Sequence, residues 1–306
     1  MNAPQEFEKH QNTAIRWPQI HQHLKHTLHH ASGSHDFLEQ IQMLEKTIHD
    51  LVTENVDASL LVLVQMLYEK NLSYSASHAL LCATLCRLLN THTELPPEEL
   101  TSLCQAALTM NIGMLNLHDQ LAHQKSAVTA AQRIAIQNHP EMGWQMLRRK
   151  GVEDEVWLQI VRDHHTAREQ TTHTPTRMLQ LTDVFVGSIS PRSTRPGLLS
   201  KQGALRIYKA EDCSPNSLGA AFVKSIGIYI PGSYVRLING EISVVVKRGE
   251  NAHTPLVASL VGIRGAPIQD PVLRDTSEPS FEIKEGISAK DVRVRTSWED
   301  LLNQFF

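Results

Sequence analysis

Histidine is the residue type that stands out in this chain, with 17 copies against 4 cysteines in 306 residues. Imidazole is both an acid–base group near neutral pH and a ligand for divalent cations. The histidines fall into two settings. Residues 21–30 read His-Gln-His-Leu-Lys-His-Thr-Leu-His-His, where pairs such as His26 and His30 share a helix face and could chelate a cation. No carboxylate or cysteine is interleaved to complete a ligand set, so this group reads as a solvated polar face. The second setting holds His78, His139 and the adjacent pair His164–His165, which with Asp183 lie in or beside apolar helical segments. Each of these taken singly reads as an ordinary core or surface residue. An adjacent pair of histidines is rarer by chance.

The cysteines are Cys82, Cys86, Cys104 and Cys213, and they form no CxxC pair. No disulfide framework is implied. Cys82 and Cys86, at i,i+4 on an apolar helix face, read as small core hydrophobes rather than redox or metal groups. Lys plus Arg is 29 against 32 Asp plus Glu, a formal charge of −3. That balance gives no electrostatic case for a nucleic acid or an acidic membrane as partner. The 41% apolar content excludes a disordered chain, and the length suits one large domain or two of ordinary size. Met1–His10 is polar and does not read as a secretory signal. No apolar run approaches the ~20 residues that span a bilayer. A cytoplasmic protein is therefore expected.

The elements that must position these groups are mostly helical. Leu38, Ile41, Leu44 and Ile48 form one apolar stripe within a His-rich N-terminal extension, residues 1–55. From Ala58 to Leu89 the apolar content is broad enough for core helices. Pro96–Pro97 opens a helix running to about Met110, which Asn111-Ile-Gly113 breaks. Further helices are predicted over Gln132–Arg149, Val156–His165 and Met178–Ser188, with Gly151 ending the first. After about Ser225 the character changes. Tyr234–Ile238 and Glu241–Val246 flank Asn239-Gly240, a type I′ hairpin signal. Pro255–Val261 reads as a third strand, Phe281–Ile283 and Val292–Val294 as short strands, and 264–280 as loop. The expected fold is mainly α: a helical bundle over 56–225 with a small β-rich appendage over 226–306.

Several segments occur in the order of one known scaffold. Ser77-His-Ala-Leu-Leu-Cys-Ala carries the first histidine, and Asn138-His-Pro-Glu-Met-Gly-Trp-Gln-Met-Leu the second. Arg162-Asp-His-His and Leu181-Thr-Asp-Val-Phe follow, then Ser190-Pro-Arg-Ser-Thr-Arg-Pro and Gly227-Ile-Tyr-Ile-Pro-Gly-Ser-Tyr-Val-Arg-Leu. From about Ser73 to Leu237 the chain resembles the HD-GYP family, a branch of the HD-domain metal-dependent phosphohydrolases. The resemblance implies a helical HD-type bundle, a link to cyclic di-GMP signalling, and His78, His139, His164, His165 and Asp183 as metal ligands.

The chain departs from the family where the chemistry is centred. The family's His-Asp pair ahead of Ile-Gly-Lys becomes Met110-Asn111-Ile112-Gly113-Met114. The family aspartate bridges two metal ions. A neutral amide offers one weak carbonyl donor, and a thioether suits neither hard nor borderline cations. The signature His-His-Glu-x-x-Asp-Gly-x-Gly-Tyr-Pro becomes His164-His-Thr-Ala-Arg-Glu-Gln-Thr-Thr-His173-Thr-Pro175, one residue longer and without the glycines. A glutamate that some members carry four residues before the first histidine ligand is Tyr74 here. If the ligand positions carry over, His78 and Asp183 are too few for tight binding. His139, His164 and His165, near Asn111, retain the means to hold one zinc, iron or manganese ion. The expectation is thus no metal or one divalent ion, rather than a binuclear centre.

The first expected function is a degenerate signalling protein that binds cyclic di-GMP or a partner protein with little or no hydrolysis. The alternatives are a residual metal-dependent cyclic-dinucleotide phosphodiesterase using the three-histidine site, and a purely structural interaction protein. Arg162, Arg168, Arg177, Arg192 and Arg195 lie near the pocket in sequence, with Arg192 and Arg195 the named candidates for a phosphate. The N-terminal stripe makes a homodimer a further candidate.

Overall fold

The computed structural model describes residues 3–31, 33–167, 173–211, 213–294 and 296–306. The chain is mainly helical, with one small antiparallel sheet in its C-terminal part. Backbone contacts divide it into two compact units: residues 1–19, 53–69 and 197–306 make one, and residues 20–52 and 70–196 make the other. Helices α1 (Ala3–His29) and α2 (Phe37–Glu54) open the chain. Among the described residues, no helix is long and apolar enough to cross a membrane.

The unit built largely from the C-terminal part holds α3 (Val56–Met66), α10 (Ser200–Ala210), α11 (Leu218–Ile226) and α12 (Trp298–Phe305). Its sheet comprises β1 (Tyr234–Leu237), β2 (Ile242–Lys247), β3 (Leu256–Val261), β4 (Pro267–Asp275) and β5 (Ile283–Ile287), in the order β4-β3-β2-β1-β5. Alternate residues of β1, β2 and β3 point into a core of Val235, Leu237, Val245 and Val257 with Ile228 and Tyr229. The Asn-Gly turn between β1 and β2 places Gly240 at φ +94°. Three expectations fail in this unit, the first being the strand at Phe281–Ile283: Pro279–Phe281 is a 3-10 turn and the strand is β5, Ile283–Ile287. Residues 267–275, read as loop for their Pro and Asp content, form β4. That strand lies at the sheet edge, where Pro271 forfeits no ladder bond a central strand would need. Val292–Val294 is not a strand; Val292 is buried just after a single 3-10 turn, Ala289–Asp291.

The other unit carries the histidines of interest. Its central element is α4 (Tyr74–Leu89), in which every residue except Arg87 is buried. A helix apolar all round belongs in the middle of a bundle, and α4 is surrounded by α5 (Pro97–Thr109), α6 (Leu115–His123) and α9 (Thr174–Ile189). Helices α7 (Ala130–Arg149) and α8 (Glu155–Asp163) complete the unit. Ser73 caps the N-terminus of α4, and Asp119 on α6 accepts from the Ser75 backbone N–H at 2.7 Å and from both serine hydroxyls. That acidic cap fixes the first turn of α4. The Trp157 indole N–H donates to Thr109 Oγ1 at 2.8 Å, tying α8 to α5.

The N-terminal histidines do not all lie on a solvated face. His21 is fully buried and bonds the Ser73 carbonyl at 3.1 Å, so part of this group packs into the bundle. His26 and His30 stack on each other with ring centroids 4.2 Å apart.

The turn that follows α5 presses on α7. A Cβ on Gly113 would lie 2.5 Å from the His139 carbonyl oxygen and 2.9 Å from the Gly143 nitrogen, both rigid backbone atoms. A Gly113→Ala variant is expected to lose about 1–3 kcal/mol through this overpacking. Urea unfolding reads it as a lowered midpoint; an unchanged midpoint would show that the turn does not clamp α7.

Candidate functional site

Four helices bring the histidines together, and local backbone chemistry aims them. His139 lies inside α7, directly before Pro140. Proline has no backbone N–H, so the carbonyl of Ile136, one turn earlier, has no helical donor. The His139 Nδ1–H takes that place, donating to Ile136 O at 2.6 Å. His164 caps the C-terminus of α8, where the last carbonyls have no partner within the helix. Its Nδ1–H donates to Val161 O at 2.7 Å. Both rings are thereby held in one tautomer, with the Nε2 lone pair pointing away from the backbone.

Those two Nε2 atoms meet at 3.1 Å. Burial together with the neighbouring His165 lowers the pKa of His139 to about 4. Burial, His165 and His139 lower that of His164 to about 3. At neutral pH no proton bridges the pair, so two lone pairs converge on one point. His165, which is exposed, stands with its ring centroid 5.1 Å from that of His139 and 4.2 Å from that of His164. The donor atoms of all three rings lie within 4.8 Å of one another. Three imidazoles, two of them with backbone-fixed tautomers, and one side open to solvent suit a divalent cation that keeps free coordination positions. Gln180 on α9 steadies the segment, donating to the carbonyls of Asp163 at 3.3 Å and Thr166 at 2.9 Å on either side of the pair.

The remaining ligand candidates form a second cluster. His78 Nε2 and Asp183 Oδ1 are 2.9 Å apart across α4 and α9. Burial alone would raise the Asp183 pKa, but the hydrogen bond from His78 and the nearby His78, His164 and His165 rings outweigh it. The carboxyl is held well below the usual range. Tyr74 Oη lies 3.4 Å from His78 Nδ1 and receives a hydrogen bond from Arg192 at 3.3 Å. The Arg192 guanidinium also lies 5.4 Å from the centre of the Tyr74 ring, and its Nε is buried without a partner.

Of the arginines, the structure brings only Arg192 into this cluster among the described residues. Arg195 spends its fork on the carbonyls of Gly187 and Ser188 at the end of α9. Arg162 pairs with Asp163 and lies over Trp144. Arg177 lies in the first turns of α9, and Arg168 lies outside the described residues. Met110 and Asn111 are buried just after α5, three and two residues before the Gly113 contact with α7.

His118 was not singled out from the sequence. It is buried edge-on against both Tyr74 and His78, with ring centroids 4.7 Å and 5.2 Å away. Burial, followed by the charges of His78 and Arg192, holds its pKa well below the ordinary value. The signal available was its position between the buried Leu115 and Ala122, at i+3 and i+7 along α6.

No family model matches the chain. It is 25% identical over 213 residues to a Pseudomonas aeruginosa protein named Cyclic di-GMP phosphodiesterase PA4108, a match covering 65% of this chain and 51% of that protein. The chain thus spans about half the length of the curated relative it matches.

Two expectations follow from the histidine pair. A Pro140→Ala variant restores a backbone N–H that competes for Ile136 O. Zinc affinity, read by competition with a chromophoric chelator, should fall roughly 10–100-fold as for other losses of a ligand's supporting hydrogen bond; an unchanged affinity would contradict the orienting role. In metal-free protein, the unfolded imidazoles take up protons near 6.5, which folded His139 and His164 refuse until about 4 and 3. Their contribution is therefore full above that pH and is lost as the pH falls from 6.5 through 4. Urea midpoints measured across that range should decline on acidification, and a rising midpoint would reverse the sign argued here.

Proposed function

We propose that this chain is a phosphodiesterase of the HD-GYP kind that acts on cyclic di-GMP with a divalent cation held by His139, His164 and His165. The observation that carries the reading is the approach of two backbone-oriented Nε2 atoms to 3.1 Å beside His165. The likeness to a protein named a cyclic di-GMP phosphodiesterase supports the substrate. When bound, a cation acts as a Lewis acid toward a phosphoryl oxygen and makes water a nucleophile at neutral pH. The protein's own residues do the rest. His165 sits at the exposed side, where a phosphodiester approaches. Ionised Asp183 presents negative charge beside His164 and His165, which offsets the positive charge of the site. Arg192 offers a planar fork matched to phosphate oxygens.

A second reading is nucleotide binding without turnover. Asn111 and Met110 favour it, because neither supplies the anionic bridge of a two-metal centre.

The test incubates the full chain with cyclic di-GMP and manganese, ferrous iron or zinc, and follows the linear dinucleotide. Slow hydrolysis, lost in His164→Ala and raised in Asn111→Asp, is expected. Nucleotide bound but never cleaved under any metal would overturn hydrolysis and leave the binding reading. No binding at all would contradict both.

A further inference from the structure

The second cluster contains a ligand that the sequence pattern assigned to core packing. Cys82 follows His78 by one helical turn on α4, so the two side chains share a face. The Cys82 sulfur, a His78 ring nitrogen and an Asp183 carboxylate oxygen all lie within 4.8 Å of one another. Cys82 and His78 are buried, and Asp183 reaches them from α9 at 2.9 Å from His78 Nε2.

We infer that Cys82 joins His78 and Asp183, which the family resemblance already implies as ligands, as the third donor of a second cation site that takes a thiophilic divalent ion of the zinc class. This goes beyond the three-histidine reading and does not depend on it, since no donor is shared. Zinc bonds of about 2.3 Å to sulfur and 2.0–2.2 Å to nitrogen and oxygen bring tetrahedral donors about 3.3–3.8 Å apart. The triad needs an inward adjustment of about 1 Å at its widest to meet that spacing. Charge favours it as well. A thiolate and a carboxylate together offset a dication, leaving a buried site close to neutral.

The surroundings suit the role. With an ion at Nε2, the His78 proton sits on Nδ1, 3.4 Å from Tyr74 Oη, which accepts it, the arrangement a ligating histidine requires. Arg192 donates to the same oxygen and fixes the ring of Tyr74. When no ion is bound, the His78–Asp183 hydrogen bond occupies the place, with the proton on Nε2. Binding moves the imidazole proton from Nε2 to Nδ1, releases the thiol proton to solvent, and forms the metal–nitrogen and metal–sulfur bonds. Thiolate in place of oxygen donors shifts preference from manganese or magnesium toward zinc, ferrous iron or cobalt.

Cobalt(II) added to metal-free full-length protein reports the sulfur directly, through a ligand-to-metal charge-transfer band in the near ultraviolet. The band is expected in the wild type, in Cys86→Ala and in His164→Ala, and absent from Cys82→Ala and from the near-isosteric Cys82→Ser. A band that survives both Cys82 variants, or no sulfur band in the wild type, would overturn the site. X-ray absorption at the zinc edge of the zinc-loaded wild type needs no variant to fold. A sulfur contribution is expected in the first shell averaged over both ions, and a shell of nitrogen and oxygen alone would refute the inference.

Discussion

The histidine-bearing unit is organised around two imidazole nitrogens that face each other without a proton. Neutral rings repel when their lone pairs converge, so such a pair persists only where the surroundings over-determine it. Here the determinants are backbone carbonyls. Pro140 frees the Ile136 carbonyl inside α7, and the end of α8 leaves the Val161 carbonyl open. Each accepts an Nδ1–H and turns the other nitrogen inward. The close approach of Gly113 to α7 and the Gln180 bridge over residues 163–166 keep the two helices from relaxing apart. A cation at the convergence converts that repulsion into ligation.

The second cluster rests on a different balance. His78 and Asp183 satisfy each other through one hydrogen bond, so they form a stable pair without an ion. Its position beneath Tyr74, His118 and Arg192 gives it a polar roof in an otherwise apolar helix bundle. In the proposed reading the first site takes a cation where two lone pairs face each other, whereas the second exchanges a proton for one.

Much of the helical body is legible in the residues themselves. The buried α4, the prolines opening α5 and the Asn-Gly hairpin follow from periodicity and turn chemistry, and they appear within a few residues of where those rules put them. What resisted reading was decided by neighbours distant in sequence. Strand β4 carries Pro and Asp that look like loop until an edge position makes them tolerable. His21 looks solvated until the Ser73 carbonyl 52 positions away buries it. Cys82 looks like a small hydrophobe until Asp183 arrives from α9. Arg195 resembles a phosphate ligand until the end of α9 claims its fork. The candidate ligand histidines stand out only as an ordered set, because nothing about a single buried imidazole distinguishes it.

In the proposed centre the exposed His165 leaves the site open to an anionic phosphodiester, while Asn111 withholds a bridging carboxylate. The account stands or falls on the tautomers. Long-range nitrogen–proton correlation spectra of the metal-free protein at neutral pH read them directly. His139 and His164 are expected as neutral rings protonated at Nδ1, with both Nε2 resonances moving when zinc is added. Rings protonated at Nε2, or resonances unmoved by zinc, would contradict the account.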